Sequence, residues 1–123
     1  MSKLRLFWRL SSFIVWTLAC FPILLLANIP RNPLKRFKAR SKLTTLWAKG
    51  VSRIWHMHIS VYGESPKEPF ILTSNHLGYA DIVLLATQID TYFISKADVR
   101  SWPVLGPIVR YANILFLKRE NRK

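Results

Sequence analysis

A histidine and an aspartate make the pair best suited to chemistry in this chain. In Asn75-His76-Leu77-Gly78-Tyr79-Ala80-Asp81, four residues separate His76 from Asp81. A neutral imidazole can take a proton from a hydroxyl near neutral pH, and a nearby carboxylate can fix its tautomer and stabilise its charged form. Taken alone, His76 reads equally as a helix-capping or core histidine, and Asp81 as a first-turn acid favoured by the helix dipole. Lys96 and Arg119 each follow an apolar run. Together they offer two cations to an acceptor carrying phosphate, or else they are solvated charges at strand ends. His56 and His58 have a metal-like H-x-H spacing, but no cluster of Cys, His or carboxylate completes it, so no metal is expected. A Gly-x-Ser-x-Gly elbow is absent from the sequence.

The elements that must position these residues follow from hydrophobic pattern. Residues 70–74 form an apolar run that predicts a buried central strand leading into His76. Residues 81–88 predict a helix leading out, so the histidine falls where a strand becomes a helix. Residues 57–63 alternate and predict a strand ending in a glycine turn. Further strands are predicted at 91–95 and 114–117, with a helical turn at 97–101 and a short helix at 108–112. Strands alternating with short helices imply an α/β fold with a partial, mostly parallel sheet and flanking helices. In such sheets, sites gather beyond the carboxyl ends of strands, where His76, Lys96 and Arg119 would converge.

The N-terminal portion is of another kind. Residues 10–30 run for 21 residues without a charge, long enough for one membrane-spanning helix at about 20 residues. Pro22 is expected to interrupt that helix. Cations flank both ends, Lys3, Arg5 and Arg9 before and Arg31, Lys35, Arg36, Lys38 and Arg40 after, so both flanks ask for the same side of a membrane. A spanning helix and a re-entrant segment dipping into one leaflet fit equally. Over residues 34–56, Leu43, Leu46, Trp47, Val51, Ile54 and Trp55 recur at helical spacing, with Lys42, Lys49 and Arg53 outside the stripe. That is a basic amphipathic helix, whose apolar face lies in the membrane interface, covers the core, or does both.

Charge sharpens this division. The chain has 123 residues and a formal net charge of +13. All of residues 1–63 contain no acid, while residues 64–123 carry six acids and eight Lys or Arg. A basic segment beside an apolar one points to an anionic lipid surface or a solvated basic face. Nucleic acid is not an expected partner, because the part that would fold is nearly neutral. The lone cysteine, Cys20, cannot form an internal disulfide. Three regions are therefore expected: 1–30, a basic start and membrane segment; 31–56, a basic amphipathic helix; and 57–123, an α/β domain.

The ordered motifs resemble the glycerolipid acyltransferases, in particular the 1-acyl-sn-glycerol-3-phosphate acyltransferases. Asn75, His76 and Asp81 match the family's Asn-His-x-Ser-x-x-Asp, with Gly78 for the serine. Lys96, Asp98 in place of the commoner glutamate, and Pro103 with Gly106 match a lysine, an acid and a Pro-x-x-Gly. Asn113-Ile114-Leu115-Phe116-Leu117-Lys118-Arg119 resembles Gly-x-Ile-Phe-Ile-x-Arg at Phe116 and Arg119, with Asn113 for the glycine. An asparagine tolerates positive φ, so the same turn is expected there.

The resemblance implies a phospholipid-biosynthesis acyltransferase of the membrane, on the cytoplasmic face. His76 would act as base and Asp81 would orient it; Arg119, Lys96 and Asn75 would bind substrate. The acceptor would be lysophosphatidic acid or a similar lysophospholipid. Acyl-CoA or acyl-carrier protein would be the acyl donor, with no other cofactor. The family's third motif, Glu-Gly-Thr-Arg-like, lies downstream of its second and is absent up to Lys123. The chain therefore reads as the N-terminal portion of such an enzyme. The alternative is a non-catalytic remnant that binds anionic membrane surfaces.

Overall fold

The computed structural model describes residues 2–67, 69–75, 78, 80–101 and 105–118. Helix α1 spans Lys3–Leu26. It begins earlier than the uncharged run because Ser2 caps it, accepting the Arg5 N–H at 3.4 Å, and because Lys and Arg are good helix formers. Pro22 lies inside α1 without ending it, so the expected interruption is corrected. Pro22 sits near the C-terminal end, where its missing N–H costs one bond to the preceding turn while the helix continues around it. Helix α2 spans Pro33–Ile54. Asn32 caps it, its Oδ1 accepting from the Leu34 and Lys35 N–H groups at 2.9 and 3.2 Å, and Pro33 needs no partner at that position. The chain leaves α2 through His56, at φ 53.

The remaining elements are short. Helix α3 is Ala80–Gln88, strand β1 is Phe93–Lys96, a 3-10 turn covers Ala97–Ser101, helix α4 is Leu105–Tyr111 and strand β2 is Ile114–Leu117. β1 and β2 pair in parallel, Phe93 opposite Ile114 and Lys96 opposite Leu117. The parallel pairing requires a crossover, which the 3-10 turn and α4 provide. The fold is thus mixed α/β behind an apolar N-terminal helix, as the pattern implied.

Two strand expectations are corrected. Residues 57–63 and 70–74 have no strand geometry, although Gly63 does turn, at φ +89. Far from being buried in a sheet, Ile71 is 91% exposed. An apolar run becomes a strand only where a neighbour accepts its backbone hydrogen bonds. Among the described residues, β1 and β2 pair only with each other.

The core lies between helices. Ala48 and Val51 of α2 meet Val83 and Ala86 of α3, with Phe13, Trp16, Trp55 and Phe93 packed around them. A second cluster joins Cys20 and Leu24 of α1 to Leu43 of α2, covered by Ile108 of α4. The apolar stripe of α2 therefore covers the core. Leu46 is the exception, 47% exposed.

Candidate active site

Asp81 occupies the first turn of α3, which packs along α2. Its carboxylate Oδ2 accepts the Gly78 N–H at 3.1 Å, and its own N–H donates to the Gly78 carbonyl at 3.2 Å. This reciprocal pair closes the entry to the helix in the manner of a capping box, with a backbone donor satisfied by an acid one turn on. The negative charge also faces the positive end of α3. Gly78 needs no side chain for this role, and a Cβ there would meet nothing within 4 Å. The departure from the family's serine is therefore compatible with the turn.

His76 and Arg119 lie outside the described residues, as does Pro103. Asn75 is exposed on irregular backbone directly before His76 in the sequence. Lys96 ends β1 on the exposed face of the sheet, beside Leu117 of β2. α3 makes its close backbone contacts with α2, and none with β1. Asp81 and Lys96 stand instead on elements joined through the side chain of Phe93, which packs on the α2–α3 core.

Gly106 is buried, and an added Cβ would lie 2.5 Å from the Arg100 carbonyl oxygen. This is a close backbone approach between α4 and the 3-10 turn at the glycine of the Pro-x-x-Gly motif. Arg110 strengthens the same junction, donating to the Arg100 carbonyl at 3.3 Å.

Asn113 does something the sequence did not suggest. The only described non-glycine residue with positive φ is His56, so the turn expectation at Asn113 is corrected. Instead, its buried side-chain amide donates to the Phe37 carbonyl at 3.1 Å and to Ser41 Oγ at 3.0 Å. Its backbone carbonyl accepts the Phe93 N–H at 2.9 Å. One residue thus ties the start of β2 both to β1 and to α2. Nearby, Asn28 donates to the Leu24 and Tyr111 carbonyls at 2.7 and 3.2 Å and accepts from Arg40. Burial, and then the neighbouring Arg36, lower the Arg40 pKa from its ordinary value, while Tyr92 opposes the shift. Phe37 stacks on Tyr92 with ring centroids 4.7 Å apart. These contacts bind the helical hairpin to the sheet. A polar side chain at a position where the resemblance calls for glycine was the available signal.

An open cleft of 340 Å³, bordered by Thr45, Lys49, Ser65, Gln88 and Asp90, lies at the C-terminal end of α3, away from Asp81. Among the described residues, no group of three or more His, Cys, Asp or Glu could hold a metal ion.

Comparison with known proteins gives a consistent set. The profile of the Acyltransferase family matches residues 58–123. A lyso-ornithine lipid O-acyltransferase of Pseudomonas aeruginosa is 35% identical over 80 residues, covering 65% of this chain and 31% of that protein. One from Brucella abortus is 28% identical over 120 residues, 97% of this chain and 43% of the relative. A 1-acyl-sn-glycerol-3-phosphate acyltransferase of Neisseria gonorrhoeae is 27% identical over 88 residues, covering 70% of this chain and 34% of the relative. The chain therefore spans less than half the length of these relatives. No solved structure gives a significant match.

Proposed function

Because the chain belongs to the acyltransferase family, and specifically to its glycerolipid branch, we propose that it acts in acyl transfer to the free hydroxyl of a membrane lysolipid. His76 is the general base in this reading. It removes the hydroxyl proton as the oxygen attacks the thioester carbonyl of acyl-CoA or acyl-carrier protein. The tetrahedral intermediate then expels the thiolate, which takes the proton back from the imidazolium. Asp81 holds the imidazole in the required tautomer and stabilises its charged form. Asn75, Lys96 and Arg119 bind substrate, the two cations matching an anionic acceptor headgroup. The observation that carries this reading is the family match across residues 58–123, within which the Asn75-His76…Asp81 stretch falls. An acid fixed in the first turn of α3 by the Gly78 N–H supports it.

Relatives named for two acceptors, lyso-ornithine lipid and 1-acyl-sn-glycerol-3-phosphate, make both candidates here. An assay of the purified chain with each acceptor, over a panel of acyl-CoA and acyl-carrier-protein donors, tests the proposal. Transfer to at least one acceptor is expected. No transfer to either from any donor, with the chain folded, contradicts it and leaves the membrane-binding remnant as the reading.

The fold also favours one placement at the membrane. α1 is long and apolar enough to cross a bilayer, at 24 residues, yet only 11% of its most apolar window is buried within the protein. It packs against α2 and α4 through Trp16, Cys20, Leu24 and Phe21. Crossing the bilayer while keeping these contacts would draw the cations of α2 into hydrocarbon, at roughly 2.5–3.5 kcal/mol each. The re-entrant reading avoids this cost: the exposed stripe of α1 enters one leaflet and the folded part stays at the surface. The positive charge on both flanks supports the cytoplasmic face.

A further inference from the structure

The open cleft at the C-terminal end of α3 lies outside the proposed mechanism. Its 340 Å³ is bordered by Thr45 and Lys49 of α2, by Ser65 and Phe70 of the segment after α2, and by Thr87, Gln88 and Asp90 at the end of α3. Ligand cavities commonly measure about 300–1,000 Å³, so this one suits a slim chain better than a bulky ring system. Hydroxyls reach it from three segments, together with one amide, one cation and one acid. Gln88 is held in place for binding. Thr87 Oγ donates to the Leu84 carbonyl at 2.7 Å, and the Gln88 amide donates to Thr87 Oγ at 2.8 Å. Gln88 keeps a second N–H and its carbonyl oxygen, the two groups that an incoming amide matches.

Both walls of the cleft continue to the proposed catalytic pair. α3 carries Asp81 in its first turn, about 10 Å from the level of Gln88 at 1.5 Å per residue. On the other wall, the chain runs on from Phe70 to Asn75, and His76 follows in the sequence.

We propose that this cleft holds the phosphopantetheine arm of the acyl donor. The inference rests on the acyl-transfer reading above and says where its donor is held. The arm is common to CoA and acyl-carrier protein. It has a phosphate at one end, a hydroxyl and two amides along a slim chain, and at the other end the thiol that carries the acyl group. Lys49 takes the phosphate by a charge-assisted hydrogen bond. Gln88 and the hydroxyls of Thr45 and Ser65 pair with the amides, which are costly to cover unpaired. Asp90 accepts the hydroxyl of the arm. The thioester then lies beyond the cleft, along α3 towards Asp81.

Isothermal titration calorimetry on the purified chain tests this without turnover. Three probes separate the parts of the ligand: CoA; pantetheine, which lacks the phosphate; and adenosine 3′,5′-bisphosphate, which lacks the arm. CoA is expected to bind, pantetheine to bind more weakly, and the bisphosphate to bind far more weakly than either. Lys49→Gln should weaken CoA about tenfold or more and leave pantetheine as before. Ser65→Trp changes an exposed residue on irregular backbone, and should fill the cleft and weaken both. Lys42→Gln, an exposed cation of α2, should weaken neither. Circular dichroism checks that each variant is folded. Displacement of pantetheine by the holo form of acyl-carrier protein and not by the apo form supports the site and assigns the donor to the carrier protein. Displacement by CoA alone supports the site and assigns CoA. Bisphosphate binding as tight as that of CoA overturns the proposal, as does CoA binding unchanged in both Lys49→Gln and Ser65→Trp. Failure of the parent to bind CoA and pantetheine also overturns it, and acyl transfer by that same chain would leave the acyl-transfer reading standing. Binding that depends on Lys49 and Ser65, without transfer to either acceptor, upholds the cleft as a site for the arm and overturns the acyl-transfer reading.

Discussion

At the scale of single residues, substitutions separate the capping role of Asp81 from its proposed catalytic role. Its carboxylate caps α3 through the Gly78 N–H, and in the proposed mechanism it also orients His76. Asp81→Asn keeps an oxygen for the Gly78 N–H and removes the charge. The expected result is a loss of kcat of about 10²–10⁴-fold with little change in Tm. Asp81→Ala removes the cap as well, and should cost about 1 kcal/mol of stability in addition. If Ala alone loses stability and neither variant changes kcat, Asp81 is a cap and nothing more. Gly78→Ser has open space for its side chain, so it should fold and turn over within a few-fold of the parent. Asn113 is the residue whose role was least legible. A buried amide that joins β2 to the Phe37 carbonyl and Ser41 leaves no pattern in sequence, because its partners lie more than 70 positions away. Asn113→Gly, the substitution towards the family residue, should lose about 1–3 kcal/mol, read as a lowered midpoint in urea.

At the scale of elements, local pattern was informative wherever an element supplies its own hydrogen bonds. α2, α3 and the 3-10 turn fall where periodicity and caps put them, and β2 coincides with residues 114–117. The failures at residues 57–63 and 70–74 share one cause. A strand is defined by its neighbour, and alternation or apolarity in one segment does not reveal whether a neighbour is there. The α1–α2 crossing illustrates the same point for helices. Trp16 donates to the Trp47 carbonyl at 3.0 Å and Trp47 donates to Thr17 Oγ at 3.1 Å. Gly50 makes room for this, since an added Cβ would fall 2.2 Å from Trp16 Nε1. Gly50→Ala should therefore force the helices apart and destabilise the chain by about 1–3 kcal/mol, even though alanine favours an isolated helix by about 1 kcal/mol. A higher Tm in Gly50→Ala would show that the crossing is looser than described.

At the scale of the molecule, the charge imbalance seen in sequence acquires a direction. The acid-free N-terminal half folds into a hairpin that is apolar along α1 and basic along one flank of α2, while its inner surfaces support α3, and with it Asp81. The change from an acid-free to a nearly neutral portion was legible because composition changes sharply near residue 63. The way the two portions join, through Asn28, Arg40 and Asn113, was not, because it depends on contacts distant in sequence. The most direct measurement of the central claim is acyl transfer by the chain in phosphatidylglycerol-containing vesicles, compared between the parent and His76→Ala. The account predicts that the parent transfers the acyl group to a lysolipid hydroxyl and that His76→Ala binds the vesicles equally but loses at least about 10²-fold in rate. Turnover by His76→Ala equal to that of the parent would contradict it.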